Sequence, residues 1–474
     1  MGIFGKLFGK PPRRSAAAPD VRARFDIAED GDDRRHWANS DWFSLDGALT
    51  PAARRKMRNR ARYERLNNSY LAGIADTIAS DLIGTGPRLQ LNTGNGEADR
   101  AVEREFFDWS WRIHLANKLR TMRQSRLIDG EAFAAMISNP SLDGVQLDLR
   151  LIEADQVATP IGRIEQNETP EGSVVDGLEF DAAGNVIAYK VLKYHPGSNY
   201  RVSDFDFTRI SAELMFHWFQ QIRPAQHRGV SEVAPCLRLF ADLRRYTAAV
   251  IAAAETAADF AAFIHSNSPA AEVDEIEAFQ SMDIEKRSLV TLPEGWSVSQ
   301  LRAEQPTSTF TDFHKQILNG IARGLGIPYN VAALNSADYN YASGRLDWQT
   351  YSGTLRVERD NLERVMLDRL LVAWTDEAAL VGIIPAGLPP VSEWNWSWAW
   401  DGREHVDPLK EANATESRLR SHTTTLAAEF ARQGKNWESE LRQRAQEIQL
   451  MQELGLPLDQ PQPAAAPEDA ADVV

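Results

Sequence analysis

Seven cations between positions 54 and 65 are the first residues whose types and spacing could do chemistry. Arg54, Arg55, Lys56, Arg58, Arg60, Arg62 and Arg65 crowd this stretch. Arg54, Arg58, Arg62 and Arg65 fall on one face of a helix, where they could meet phosphates or an acidic neighbouring surface. A solvated or inter-subunit salt-bridged face is the plainer alternative, and the acidity of the rest of the chain favours a protein partner. Other chemistry is thin. Gly5-Lys6, Gly9-Lys10 and Gly434-Lys435 lack the frame of a nucleotide-binding loop. The histidines form no zinc motif and no pair at one-turn spacing. There is no Gly-x-Ser-x-Gly elbow, and Cys236, in a Pro-Cys-Leu-Arg context, reads as small apolar packing rather than a thiol nucleophile. His217, beside Trp218 and Phe219, reads as a satisfied core histidine. No catalytic residue, no metal site and no cofactor is expected. The abundance of Asp and Glu keeps one enzymatic alternative open, a metal-dependent DNA-processing enzyme.

Composition narrows the classes further. The chain has 474 residues, 52 Lys+Arg against 67 Asp+Glu, and a net charge of -15; with 43% hydrophobic residues it is neither disordered nor fibrous overall. One cysteine excludes a disulfide framework and fits a reducing, intracellular history. No window approaches the roughly 18 uninterrupted apolar residues of a membrane span, so no membrane is expected as a partner. Residues 1–70 carry 15 Lys+Arg and 9 Asp+Glu, a balance of +6, which leaves -21 for residues 71–474. A basic head precedes an acidic body.

The elements that must position these residues read as α+β, mainly helical. Thr50 and Pro51 open a helix expected to run to Gly84-Thr-Gly86-Pro87. Residues 97–137 read as mainly helical, and the alternation from Val145 to Leu151 as a half-buried strand. Strands around Leu178–Phe180 and Val186–Tyr194 flank a turn at Asp181-Ala-Ala-Gly184-Asn185. Ser231–Ile264 is one long Ala-rich pattern, whose roughly 30 residues would reach about 45 Å. So little bulk suits close packing, between identical subunits or within one chain. Residues 267–306 form an insert, with Ser288–Leu292 and Trp296–Leu301 expected as a hairpin. Phe310, Phe313, Ile317, Ile321 and Leu325 mark a second helix. The aperiodic stretch 328–343 has the length of a functional loop. A third long helix is expected from Gly344 to Trp374, then Trp394, Trp396, Trp398 and Trp400 on one strand face, then helices over 409–454 with a break near Gly434.

Several segments together resemble the lambda-like portal family of tailed bacteriophages. They are Arg65-Leu-Asn-Asn68 with Gly84-Thr-Gly86; Arg223-Pro-Ala-Gln-His-Arg-Gly-Val230 leading to Ala234-Pro235; Ile321-Ala-Arg-Gly-Leu-Gly-Ile-Pro-Tyr329; Asn340-Tyr-Ala-Ser-Gly-Arg345; Asp407-Pro-Leu-Lys-Glu411; and Thr423-Thr-Thr-Leu426 to Gln433-Gly-Lys435 with Trp437. The chain departs from the family pattern at Ala225, usually glycine, at Ala342, usually serine, and in the apolar Val331-Ala-Ala-Leu334, where an acidic residue often stands.

The resemblance implies a dodecameric ring. Its parts would be a mobile N-terminal arm (1–50), a wing (51–230), a first stem helix (231–266), a clip (267–306), a second stem helix (307–329) and a tunnel loop (330–343). A wing long helix with a Trp-rich strand (344–408), crown helices (409–456) and a disordered tail (457–474) would follow. Asn335, Ser336, Asp338, Tyr339, Asn340, Tyr341, Ser343 and Arg345 would then face DNA in the channel. Glu272, Asp274, Glu275, Glu277 and Glu285 would dock terminase or adaptors at the clip. The implied partners are double-stranded DNA held without sequence specificity, the terminase large subunit, a major capsid or scaffolding protein, and head-completion or tail adaptor proteins. The implied place is the portal vertex of the virion, with assembly in the host cytoplasm. A helical scaffold without a channel is the remaining alternative.

Overall fold

A computed structural model describes residues 40, 42–159, 174–198, 206–259, 263–266, 296–299, 310–385, 387–402 and 408–456. Most of the N-terminal arm, the expected strand at 288–292, the clip residues Glu272, Asp274, Glu275, Glu277 and Glu285, and the tail from 457 lie outside them. The chain divides into Met1–Ala48 and Leu49–Val474. The first unit contributes one short helix, α1 (Leu45–Ala48).

The second unit opens with α2 (Pro51–Asn67), capped by Thr50, whose hydroxyl accepts the Ala53 N–H (3.3 Å). Where one helix was expected to Gly84 there are two. Asn68 leaves the helical region and its Oδ1 accepts the N–H groups of Tyr70 and Leu71, starting α3 (Ser69–Ile83). After β1 (Arg88–Leu91) come α4 (Gly96–Arg112) and α5 (Leu115–Asp129), and the chain then turns into β2 (Glu131–Ser138) within a stretch expected to be helical. β2 is central: β3 (Leu147–Ile152) pairs on one side and β8 (Met215–Phe219) on the other, both antiparallel. Ala132 and Ala134 face the helical core, while Phe133 and Ala135 face a second core against a four-stranded sheet. That sheet orders β4 (Val174–Val175), β5 (Leu178–Phe180), β6 (Val186–Leu192) and β7 (Phe207–Ser211) in sequence.

The Ala-rich pattern resolves into a 3-10 turn (Ala234–Cys236) and α6 (Leu237–Asp259), shorter than expected. β9 (Phe263–Ser266), placed by the sequence in or just after the helix, pairs antiparallel with β10 (Trp296–Ser299). α7 (Phe310–Leu325) packs on α6 and leads to α8 (Tyr329–Ala333) and α9 (Tyr341–Leu362). α9 continues through a π-helical turn (Glu363–Leu367) into α10 (Asp368–Leu380), so the third helix starts earlier and ends later than expected. β11 (Trp396–Ala399) pairs with β1, and α11 (Pro408–Arg420), α12 (Leu426–Arg432) and α13 (Trp437–Glu453) follow, with a second break at 421–425.

The helical core is knitted by aromatic side chains. Phe106 contacts Trp109, Trp374 and Trp398 at centroid distances of 5.2, 5.2 and 5.6 Å, each pair contributing about 0.5–1.5 kcal/mol beyond area burial. Trp396 and Trp398 both donate their indole N–H to Asp368 Oδ1 (2.8 and 2.9 Å), and Trp400 donates to Glu363 Oε1 (2.6 Å). Trp400 is thus tied to the π turn and Trp396 and Trp398 to the first residue of α10, whereas Trp394 donates to Pro389 O (2.8 Å). No helix among the described residues is long and apolar enough to cross a membrane.

Candidate functional site

The residues expected to face a channel lie after α8 and in the first turns of α9. Pro328 opens α8, and Leu334 closes it in the left-handed region (φ 50°). The chain then crosses through exposed polar positions. Asn335 Oδ1 accepts the Ala337 N–H (2.9 Å), and the Tyr339 N–H donates to Ser336 O (3.1 Å). Asn340 ends the crossing: its Oδ1 accepts the Ser343 N–H (2.9 Å) while Ser343 Oγ accepts the Asn340 N–H (3.1 Å). This reciprocal cap corrects the expected bounds at one end, and α8 corrects them at the other. Tyr341, Ser343 and Arg345 belong to the first turns of α9, and the segment outside any helix is 334–340.

Asp338 pairs with Lys315 of α7, whose ammonium also lies 5.6 Å from the Tyr329 ring centroid. The hydrogen bond to Asp338 pushes the Lys315 pKa up. Burial, then a hydrogen bond to Asp347, raises the Tyr339 phenol. The crossing therefore offers amide, hydroxyl and carboxylate groups, with its neighbouring ammonium already paired.

The basic face of α2 turns inward, against the expectation of an outward contact. Arg54 pairs with Asp176 and donates to Leu49 O (2.8 Å). Arg58 pairs with Glu131 and donates to Asp129 O (3.1 Å) and Asp155 Oδ1 (3.2 Å). Arg62 grips Asp129 through both oxygens (2.7 and 2.8 Å) and Asp155 Oδ2 (2.6 Å), while Arg65 reaches Asp76 (2.6 Å). Apart from the exposed Asp76 of α3, their partners sit at the end of α5, the start of β2 and the loops after β3 and β4, so Arg54, Arg58 and Arg62 lie over a ring of carboxylates from their own chain.

Arg228, which the residue-by-residue reading did not single out, is the centre of this network. Fully buried, it donates to Glu131 through Nε and Nη2 and to the carbonyls of Val157 (3.0 Å), Ala154 (3.3 Å) and Asp176. Burial alone would raise the Glu131 pKa, but Arg228 and Arg58 hold it well below the carboxylate range. His217 Nε2 lies 3.0 Å from Glu131 Oε2, its ring stacked on Phe133, and burial lowers its pKa. Such a network contributes little net stability over apolar packing, yet loss of one partner strands a buried charge. The sequence signal for it was the segment His227-Arg228-Gly229: a Cβ on Gly229 would fall 2.1 Å from Gly130 O, so only glycine lets the backbone pass this close to the start of β2. Ala225, where the family pattern has glycine, adopts φ 57°.

Glu153, Asp155 and His195 bring three possible metal-ligand atoms within 4.8 Å of one another. Both Asp155 oxygens already accept from Arg58 or Arg62. His195 Nδ1 accepts the Gly197 N–H (3.0 Å), which puts the ring proton on Nε2, 2.9 Å from Glu153. The trio is arranged as part of the ion-pair network. Cys236 is buried, and burial pushes its thiol up.

The chain matches the family model described as phage portal protein, lambda family, over residues 32–359. It is 26% identical over 504 aligned positions to a probable portal protein of Halomonas phage phiHAP-1, covering 96% of this chain and 92% of that one. Among solved structures it is similar to a chain in the neck of an empty GTA particle computed with C6 symmetry (TM-score 0.43, 14% identity, 85% of this chain and 94% of that one). It is also similar to an HK97 family phage portal protein from Corynebacterium diphtheriae (TM-score 0.27, 12% identity, 77% and 97%).

Proposed function

The chain belongs to the lambda family of phage portal proteins, and from that premise we propose that it closes into a dodecameric ring at one capsid vertex, through which double-stranded DNA enters during packaging and leaves during ejection. It is a phage portal protein with an α+β, mainly helical fold. The observation that carries the channel reading is the largely polar crossing 335–340 between α8 and α9, exposed except at half-buried Tyr339, where Lys315 is neutralised by Asp338.

A conduit must touch DNA without holding it. Each Lys or Arg contact to phosphate raises affinity steeply and must break before the duplex can advance. A body carrying -21 beyond residue 70 repels the backbone, leaving Asn335, Ser336, Tyr339 and Asn340 to make weak, sequence-independent contacts. The clip carboxylates Glu272, Asp274, Glu275, Glu277 and Glu285 are proposed to dock the terminase large subunit and later head-completion or tail adaptor proteins. A major capsid or scaffolding protein would surround the ring, which would assemble in the host cytoplasm. The packaging energy would come from the terminase.

Electron micrographs of the purified protein test this. The expected result is top views of high rotational symmetry with a central hole, and no ATP hydrolysis without terminase. Open or ring-less assemblies would overturn the channel.

A further inference from the structure

We propose that the outward face of α2 on one copy seats against the outward face of α4 on the next, and that this head-to-tail contact closes the ring. The inference rests on the ring reading above and names the surfaces that make it.

With Arg54, Arg58 and Arg62 turned inward, the opposite side of α2 presents Arg55, Lys56 and Arg60, all exposed and with no carboxylate partner among the described residues. Leu66 continues this stripe at 83% exposure, and Tyr63 lies in it with Arg244 of α6 over its ring (5.4 Å). Three uncompensated cations next to a bare leucine are unusual on a chain of net charge -15. They fit an acidic partner with an apolar centre.

The outward face of α4 has that chemistry. Asp108 is exposed, Glu105 is half-buried, and neither has a cationic partner among the described residues; between and beyond them stand Phe107 and Trp111, Trp111 at 73% exposure. Arg104 and Arg112 are also exposed on this helix, Arg112 donating to Asp143 O (2.7 Å) and Arg104 without a described partner. Exposed aromatics rimmed by charge mark interaction surfaces rather than ordinary solvated faces.

Within one copy the two helices are tethered at opposite ends of α5. α2 is held at the C-terminal end of α5, through Arg62 and Asp129, whereas α4 joins α5 at its N-terminal end through Ile113 and His114. The 15 residues of α5 separate these ends by about 22 Å. Two different faces that complement each other but sit apart on one chain generate a heterologous contact, and such contacts close into rings or run on as filaments.

The test is a charge swap between two full-length variants. Variant one carries Arg55→Glu, Lys56→Glu and Arg60→Glu; variant two carries Glu105→Lys and Asp108→Lys. All five side chains lie outside the buried network, so unfolding midpoints should match the wild type, which the measurement checks. Alone, each variant presents like charges across the contact and should run as subunits by native mass spectrometry. Mixed one to one they can alternate, and rings should return. Full-sized rings from either variant alone would overturn the proposal and leave the ring reading standing. Wild-type protein that forms no ring would instead sink the ring reading. Variant one losing affinity for a DNA duplex while still forming rings would assign the α2 face to nucleic acid and likewise overturn the proposal.

Discussion

Arg228 and Glu131 meet through Arg228 Nε and Nη2 at 2.7–3.1 Å with neither side chain exposed, and the Gly229 N–H adds a further bond to Glu131 Oε2 at 3.0 Å. Breaking that pair from one side leaves an uncompensated charge between two sheets. Arg228→Met and Glu131→Gln should each destabilise by about 3–5 kcal/mol. Denaturant unfolding of the subunit should show the loss for both; a loss below about 1 kcal/mol for either would mean the network is solvated.

The same network sets the response to acid. Burial lowers the His217 pKa from near 6.5, so below that pH the unfolded chain binds more protons and stability falls as pH falls. Glu131, whose pKa lies well below its ordinary value near 4.5, adds stability that is present above 4.5 and lost as pH falls through the folded value. Asp129, pushed up by burial, works in the opposite sense near pH 4. Unfolding midpoints should drop on going from pH 7 to 5.5, and His217→Phe should flatten that first drop.

Ala225 holds a left-handed backbone that costs an L-residue about 1–2 kcal/mol. Glycine removes that cost but returns about 0.4–1 kcal/mol as added freedom of the unfolded chain. Ala225→Gly should therefore be neutral to stabilising by up to about 1.6 kcal/mol. A clear loss of stability would show that the alanine methyl is needed in its site.

Helix α7 is pressed onto Cys236: a Cβ on Gly324 would lie 2.4 Å from its sulfur. Gly324→Ala gains about 1 kcal/mol of helix propensity and meets about 1–3 kcal/mol of overpacking. The single variant should be destabilised, and adding Cys236→Ala should recover most of the loss. Additive effects in the double-mutant cycle would refute the contact.

Deleting Asn335–Tyr339 should leave ring assembly intact and reduce the yield of filled heads. Extending the deletion through Tyr341 also removes the Asn340 cap, worth about 1 kcal/mol, and should lower the unfolding midpoint as well. Normal yields of filled heads from the shorter deletion would remove the crossing from packaging.

Local chemistry was legible and long-range partnership was not. The Thr50–Pro51 start, the turn at Asp181–Asn185 and the apolar stripe of α7 each carry their signal within a few residues. β2 was hidden because Glu131–Ser138 is buried on both faces, which erases the alternation that marks a half-exposed strand. The caps at Asn68 and Asn340 went unread, since Asn68 falls inside a continuous helical pattern and Asn340 inside a stretch with no period at all. The face carrying Arg54, Arg58 and Arg62 was correctly placed on one side of a helix. Its direction depended on Asp129, Glu131, Asp155 and Asp176, all far along the chain.

The burial of Cys236 has a practical corollary. It is the chain's sole thiol, it lies inside the helical core, and its raised pKa keeps it from the reactive thiolate form. Wild-type protein should resist maleimide dyes while folded, so a cysteine placed on any exposed position would be the single reactive handle per subunit. Fluorescent or spin probes could then follow individual faces of the assembly without first removing a native residue.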